Sequence, residues 1–172
     1  MSDSRTREIG GASSDLLATL SELDGYDQLL AMRAHGIRAP MLQTLKLELT
    51  KLDRGQVVFE GSPDRSVYNP IGTVHGGYAA TLLDSACGIA VHSKLRIGQT
   101  YTTLELKVSF QRALTQKSGP VRAEGRVISM GGRAAFAEAT LTDGEGRLCA
   151  SATSTLLIYE NPARPKAETT EQ

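Results

Sequence analysis

Tryptophan is absent from this 172-residue chain, and three phenylalanines and five tyrosines are its only other aromatic rings. No aromatic cage is announced. Cysteine is nearly absent too: Cys87 and Cys149 lie far apart, each in an apolar run, with no CxxC pair. That pattern excludes a disulfide framework and points to two buried free thiols in a reducing compartment. His35, His75 and His92 are not spaced as metal ligands, so no metal site is expected. Net charge is missing as well, since 19 Lys and Arg balance 19 Asp and Glu. A neutral balance argues against bulk binding of nucleic acid or of an anionic membrane surface, though not against a few arginines around one phosphate. No apolar run is long enough to cross a bilayer, and Met1 to Ser14 lacks the apolar stretch of a signal peptide. The expected location is the cytoplasm.

What the chain does have is glycine, 17 residues of it, and many short alternating runs. These are marks of strands and turns. The polar segment 1–14 and the segment 161–172 read as disordered tails. Residues 15–40 read as a helical extension, with Leu16, Leu17, Leu20 and Leu23 at helical spacing and an expected stop at Gly36 and Pro40. Residues 41–160 read as one α+β domain. A strand is expected from Leu45 and a second from Gln56 to Gly61, then a loop from Ser62 to Val74. An apolar helix follows from Gly76 to about Leu95, and long alternating strands run from beyond Gly98 to Tyr159. Leu104, Leu106, Val108 and Phe110 are expected on one strand face. The plan is a five- to six-stranded antiparallel sheet wrapped around one helix that is apolar nearly all round and so must be covered all round.

The chemistry concentrates between Asn69 and Val91. A loop rich in proline and glycine opens the helix at Gly76-Gly77, and from Gly76 to Val91 the only formally charged side chain is Asp84. An unpaired carboxylate inside an apolar helix is costly, so Asp84 is paired, at an edge, or kept for chemistry. The helix start offers free backbone N–H groups and the positive end of the helix dipole, a plausible oxyanion hole, with the Gly76 amide as first choice. As a carboxylate, Asp84 can serve as general base on water or attack a carbonyl directly. Gly76 and Asp84 are eight positions apart, roughly 12 Å along a straight helix. One carbonyl cannot comfortably touch both within a single copy. Two antiparallel helices across a dimer axis would bring them together, predicting two composite sites per dimer. Asn69 reads either as a donor to the reacting water or as a turn residue before Pro70, and His75 as a residue that orders the loop, with acid–base work as second choice.

The pattern Asn69-x2-Gly72-x2-His75-Gly76-Gly77-x6-Asp84, with Thr103 to Phe110, Gly131-Gly132-Arg133 and Asp143 to Ala150, resembles the hotdog-fold acyl-CoA thioesterases of the phenylacetate-pathway, or PaaI-like, family. The resemblance covers roughly Leu45 to Tyr159 and leaves out the N-terminal helices. It implies hydrolysis of an acyl-CoA thioester to a free acid and coenzyme A, without a cofactor or metal. It also implies a homodimer, often paired into a dimer of dimers. On the matching positions, Asp84 is the base or nucleophile, Gly76 the oxyanion donor, and Asn69, His75 and Thr103 their helpers. Thr102 competes with Thr103, because strict alternation puts Thr103 opposite Leu104. Gly77 is implied to meet the coenzyme A arm, as are Gly131, Gly132 and Arg133, which resemble the family's bulged strand, although Gly131-Gly132 could equally be only a β-bulge; Arg112, Lys117 and Arg147 lie at strand ends and could meet its phosphates, with a solvated surface charge as the competing reading of each. Tyr78, Leu82 and Leu83 flank the motif beside an unread acyl pocket. An acyl-CoA binder without turnover is the alternative on the same scaffold. A serine hydrolase is disfavoured because no GxSxG occurs, and a hotdog hydratase because the histidine–proline loop expected of one is missing.

Overall fold

The computed structural model describes residues 14–161; the segments 1–13 and 162–172, and with them nearly all of both expected tails, lie outside the described residues. In chain order the elements are α1 (Ser14–Ser21), α2 (Gly25–Ala34), α3 (Pro40–Thr44), β1 (Leu47–Asp53), β2 (Gln56–Gly61), α4 (Gly76–His92), β3 (Gln99–Phe110), β4 (Val121–Met130), β5 (Ala134–Thr142) and β6 (Leu148–Glu160). The strands form one antiparallel six-stranded sheet in the order β1-β2-β4-β5-β6-β3. α4 packs across its concave face. This is the hotdog plan expected from the sequence.

Small residues let the helix approach the sheet. Ala135, Ala137 and Ala139 on β5 and Ala123 on β4 are buried, opposite Leu82, Leu83 and Ala86 of α4, which are fully buried. At Gly125 the approach is closest: a Cβ there would lie 2.3 Å from the backbone oxygen of Ala86. Only glycine permits that contact between strand and helix backbone. Alternation of buried and more exposed residues along β5 follows from the two-residue period of a strand. Both cysteines are free and buried, as expected.

Several boundaries differ from the sequence reading. Pro40 starts α3 instead of stopping a helix, because a proline lacks an N–H that the first helical position does not need. The first strand begins at Leu47, not Leu45: Leu45 caps α3, and Lys46 takes a left-handed φ of 55° that turns the chain into β1. α4 stops at His92. It is not covered all round, since Thr81, Asp84, Ser85 and Ile89 stay half-exposed in the single copy. Tyr78, Leu82 and Leu83, which flank the motif on the helix, are buried in the core.

The N-terminal helices clamp the far end of α4. Asp24 caps α2 by accepting from Asp27 N at 3.0 Å, and Gly25 N donates to Leu95 O at 3.0 Å. Ser93, fully buried, accepts from Gly55 N at 2.7 Å and donates to Ala90 O at 2.7 Å, fastening the β1–β2 turn to the same place. The ring of His92 bonds through Nε2 to Gln28 Oε1 at 3.0 Å and stands edge-on to Tyr101. Burial pushes the His92 imidazole down to about 4 from an ordinary 6.5. The unfolded chain therefore binds a proton that the folded chain refuses between those values. Stability is predicted to fall as pH is lowered from 6.5 toward 4, by up to about 1.4 kcal/mol per pH unit. His92→Gln should flatten that slope in denaturant titrations run across the window.

Candidate active site

The loop before α4 is tied by Asn69. Its Oδ1 accepts from Ile71 N at 3.2 Å and Thr73 N at 3.1 Å, and its Nδ2 donates to Thr73 Oγ1 at 2.8 Å. The turn role weighed for this residue is therefore in place, leaving one Nδ2 hydrogen uncommitted. His75 is the N-cap of α4: its Nδ1 accepts from Gly77 N at 2.9 Å, and its own N–H donates to Val67 O at 2.8 Å. With Nδ1 used as a cap acceptor, His75 orders the helix start. The Gly77 amide is thereby committed. The Gly76 amide is the next N–H of the helix start, and among the described residues nothing accepts from it.

A cavity of about 300 Å³ opens there, bounded by Val74, His75, Gly76, Phe110, Arg112 and Cys149. The ring of Phe110 lies over Gly76, 3.2 Å from where a Cβ would stand. Arg112 is exposed and makes no ion pair among the described residues, so its guanidinium is available to an anion at the cavity mouth. Its backbone N–H, with that of Gln111, donates to Cys149 O and anchors the strand end. Lys117 is exposed in the turn that follows. Arg147 is not available: it bonds Asp143 at 2.8 Å and Glu145 at 2.9 Å, and so fixes the β5–β6 turn.

Asp84 lies two turns further along α4 and is half-exposed. Thr103 Oγ1 donates to Asp84 Oδ1 at 3.2 Å. Strict alternation would have pointed Thr103 away from the face that holds Leu106 and Val108. A β-bulge resolves the conflict: the pairing of β3 with β6 shifts between Thr103 and Glu105, so Leu104 is an extra residue, 61% exposed. One inserted residue reverses the face of everything after it. Thr103 thus faces the helix together with Leu106 and Val108, Leu104 leaves the inward row, and Thr102 is exposed. Cys87, one turn from Asp84, offers no rival nucleophile; burial first, and then the charges of Asp84 and Glu138, push its thiol up to about 12.

Gly131, Gly132 and Arg133 form the tight loop between β4 and β5, closed by Gly131 N donating to Ala134 O at 2.8 Å. The bulge of β4 lies earlier, where its register shifts between Val127 and Ser129, and not at these glycines. Arg133 O accepts from Ile158 N, and Ile158 pairs with Tyr101 on β3. This loop therefore belongs to the Asp84 end of the sheet, whereas Arg112 belongs to the Gly76 end. The two groups of candidates expected to meet across a dimer, the half-sites, lie apart in the single copy: His75, Gly76 and Arg112 line the cavity, while Thr103 is bonded to Asp84 at the other end of β3, the end to which the Gly131–Arg133 loop is tied.

The family model for the thioesterase superfamily matches residues 71–150, a stretch that holds every candidate except Asn69. A putative esterase of Saccharolobus solfataricus is 32% identical over 115 residues, which make up 66% of this chain and 73% of that protein. The chain belongs to the thioesterase superfamily. Among solved structures, a thioesterase family protein of Silicibacter pomeroyi is similar at a TM-score of 0.69 and 28% identity, over 76% of this chain and 96% of that one. A hypothetical thioesterase of Streptococcus pneumoniae, crystallised with coenzyme A, is similar at a TM-score of 0.61 and 27% identity, over 67% and 90% of the two chains.

The protein is thus a thioester hydrolase with the hotdog fold. The sequence reading gave Phe110 only a place on a strand face; its ring in fact bounds the cavity over Gly76, and the signal for this was its position at the end of the strand carrying Thr103. The Thr103 hydroxyl is predicted to hold Asp84 in its working position. Thr103→Val should lower turnover roughly tenfold while keeping the melting temperature close to wild type, and Thr103→Ser should restore most of it. Steady-state rates and thermal melts on the three proteins check this.

Proposed function

We propose that this thioesterase hydrolyses an acyl-CoA to the free acid and coenzyme A, in the manner of the PaaI-like family, at sites shared between two copies of the chain. The observation that carries the reading is the way the half-sites lie along β3. Thr103 meets Asp84 near one end of this strand, and Phe110 covers Gly76 at the other. β3 is also the edge of the sheet, 12 residues long, with no strand on its outer side among the described residues. A long open edge invites pairing with another strand. Two copies paired antiparallel along β3 set the Gly76 end of each against the Asp84 end of the other. Each interface then holds two complete sites. A dimer of dimers would use the outer sheet face, where Ile128 and Phe136 are exposed.

In such a site the thioester carbonyl lies between the Gly76 amide of one copy and Asp84 of its partner. Asp84 takes a proton from water, and the water oxygen bonds to the carbonyl carbon. The carbonyl oxygen gains charge and accepts from the Gly76 N–H, aided by the helix dipole. The tetrahedral intermediate collapses, the carbon–sulfur bond breaks, and the departing thiolate takes the proton from Asp84. The chemistry asks for no metal or cofactor. The free Nδ2 hydrogen of Asn69 serves as a second donor, to the reacting water or to the carbonyl. Gly77 keeps its N–H on the His75 cap and lets the substrate approach the backbone closely. Arg112 meets a phosphate of coenzyme A, and the Gly131-Gly132-Arg133 loop meets the pantetheine arm. The coenzyme A bound to the Streptococcus pneumoniae relative supports this ligand class.

Two variants separate the roles. Asp84→Asn keeps the shape and removes the base, and thiol release should fall by roughly 10²-fold or more. Gly76→Pro deletes one N–H at the first helical position, where proline is tolerated, and should cost roughly 10²- to 10³-fold in kcat. Thiol release from a panel of acyl-CoA esters checks both; undiminished turnover by folded Asp84→Asn would sink the assignment.

A further inference from the structure

A second cavity, of about 320 Å³, opens between the N-terminal helices and the β1 side of the sheet, the edge opposite β3. Leu29 and Met32 of α2, Leu42 of α3, Leu49 of β1, Phe59 of β2 and Ile89 of α4 line it. Leu29 and Phe59 are buried, whereas Met32, Leu42, Leu49 and Ile89 are only half-buried. No candidate residue of the thioester site lines it. Such a wall offers water few hydrogen bonds, and an apolar occupant gains by covering it. The chain's own ends are poor occupants, since segments 1–13 and 162–172 hold only Met1 and Ile9 as large apolar side chains. Charge at the rim is unbalanced. Arg38 and Glu48 pair with each other at 3.4 Å, and Arg38 also donates to Leu47 O at 2.8 Å. Arg33, in the last turn of α2, lines the cavity and is exposed. Among the described residues its guanidinium makes no ion pair or hydrogen bond.

We propose that this cavity binds a free carboxylic acid of medium chain length, with its alkyl chain among the leucines and its carboxylate on Arg33. The fork of a guanidinium matches the two oxygens of a carboxylate. The volume lies at the small end of the range for ligand sites, roughly 300–1,000 Å³, which suits one chain of about eight carbons and not a two-chained lipid. A bound acid bridges α2 and α3 to β1 and α4, and so tightens the seat of the N-terminal helices. Acids of this class are what acyl-CoA hydrolysis releases, so the cavity gives the enzyme a second, separate place for such a product. Binding there needs no turnover and stands apart from the catalytic reading.

Calorimetry on the full chain measures affinities for octanoate, 1-octanol and butyrate, with thermal melts as the folding check. Octanoate should bind roughly tenfold or more tighter than butyrate, because each added methylene is buried. Arg33→Gln should weaken octanoate by roughly fivefold, the scale of an exposed ion pair, and leave octanol unchanged. Leu42→Trp fills the cavity and should abolish binding of both; Met32→Trp serves if that variant melts early. Arg112→Gln, at the other cavity, should leave octanoate affinity unchanged. Failure of octanoate to bind overturns the proposal, as does an octanoate affinity that Arg33→Gln or the folded tryptophan variant leaves intact. Loss in Arg112→Gln instead puts the acid in the Gly76 cavity and overturns it too. Octanoate binding seen only in Ile9→Asp gives the groove to segment 1–13. A dimer that ignores octanoate but is dissociated by Leu42→Trp gives it to a second copy. Either result overturns the proposal. Thiol release from acyl-CoA esters is followed in parallel. Octanoate held through Arg33 without any thiol release leaves this site standing and removes the hydrolase reading. Turnover without octanoate binding does the reverse.

Discussion

Everything functional in this chain depends on a fixed distance along one rigid helix. Gly76 and Asp84 are borne by α4, whose inner face is locked into the sheet by Leu82, Leu83 and Ala86 and by the bare contact of Gly125. The helix cannot bend to bring its amide end and its carboxylate together, since that core would have to open. Each group therefore needs a complement from elsewhere. On the proposed reading, the tight packing that makes the domain stable also makes one copy incomplete as a catalyst.

The sheet answers that constraint through β3. The strand lies at the edge, carries one half-site near each end, and is bulged between them. Without the extra Leu104, Thr103 would turn from the helix and Asp84 would lose its hydrogen-bond donor. The bulge lets one strand supply both a polar contact at Asp84 and an apolar row of Leu106 and Val108. Local irregularity of this kind at an edge strand is a common way to aim a side chain.

Much of this was legible in the sequence. The loop, the glycine pair and the lone carboxylate of an apolar helix marked the candidate site, and alternation marked most strands, because both follow from periodicity and from the cost of burying charge. The bulge was not legible: an inserted residue leaves alternation intact on either side and shows only in pairing. The fate of Arg147 was not legible either, because a partner four residues away competes with any ligand and sequence does not rank the two. Pro40 misled for a physical reason, since the ring that ends one helix can begin another. The placement of Gly131–Arg133 in a hairpin loop, rather than on a bulged strand, depended on where β4 loses register, three residues earlier.

The central claim is that each working site draws its amide from one copy and its carboxylate from another. It is tested most directly by mixing two dead proteins, Gly76→Pro and Asp84→Asn, under conditions that let subunits exchange. In a mixed dimer one site carries both lesions and the other carries none. The account predicts that thiol release returns to roughly a quarter of the wild-type rate, since half the dimers are mixed and each has one intact site. No recovery, with subunit exchange verified by mass, would contradict it.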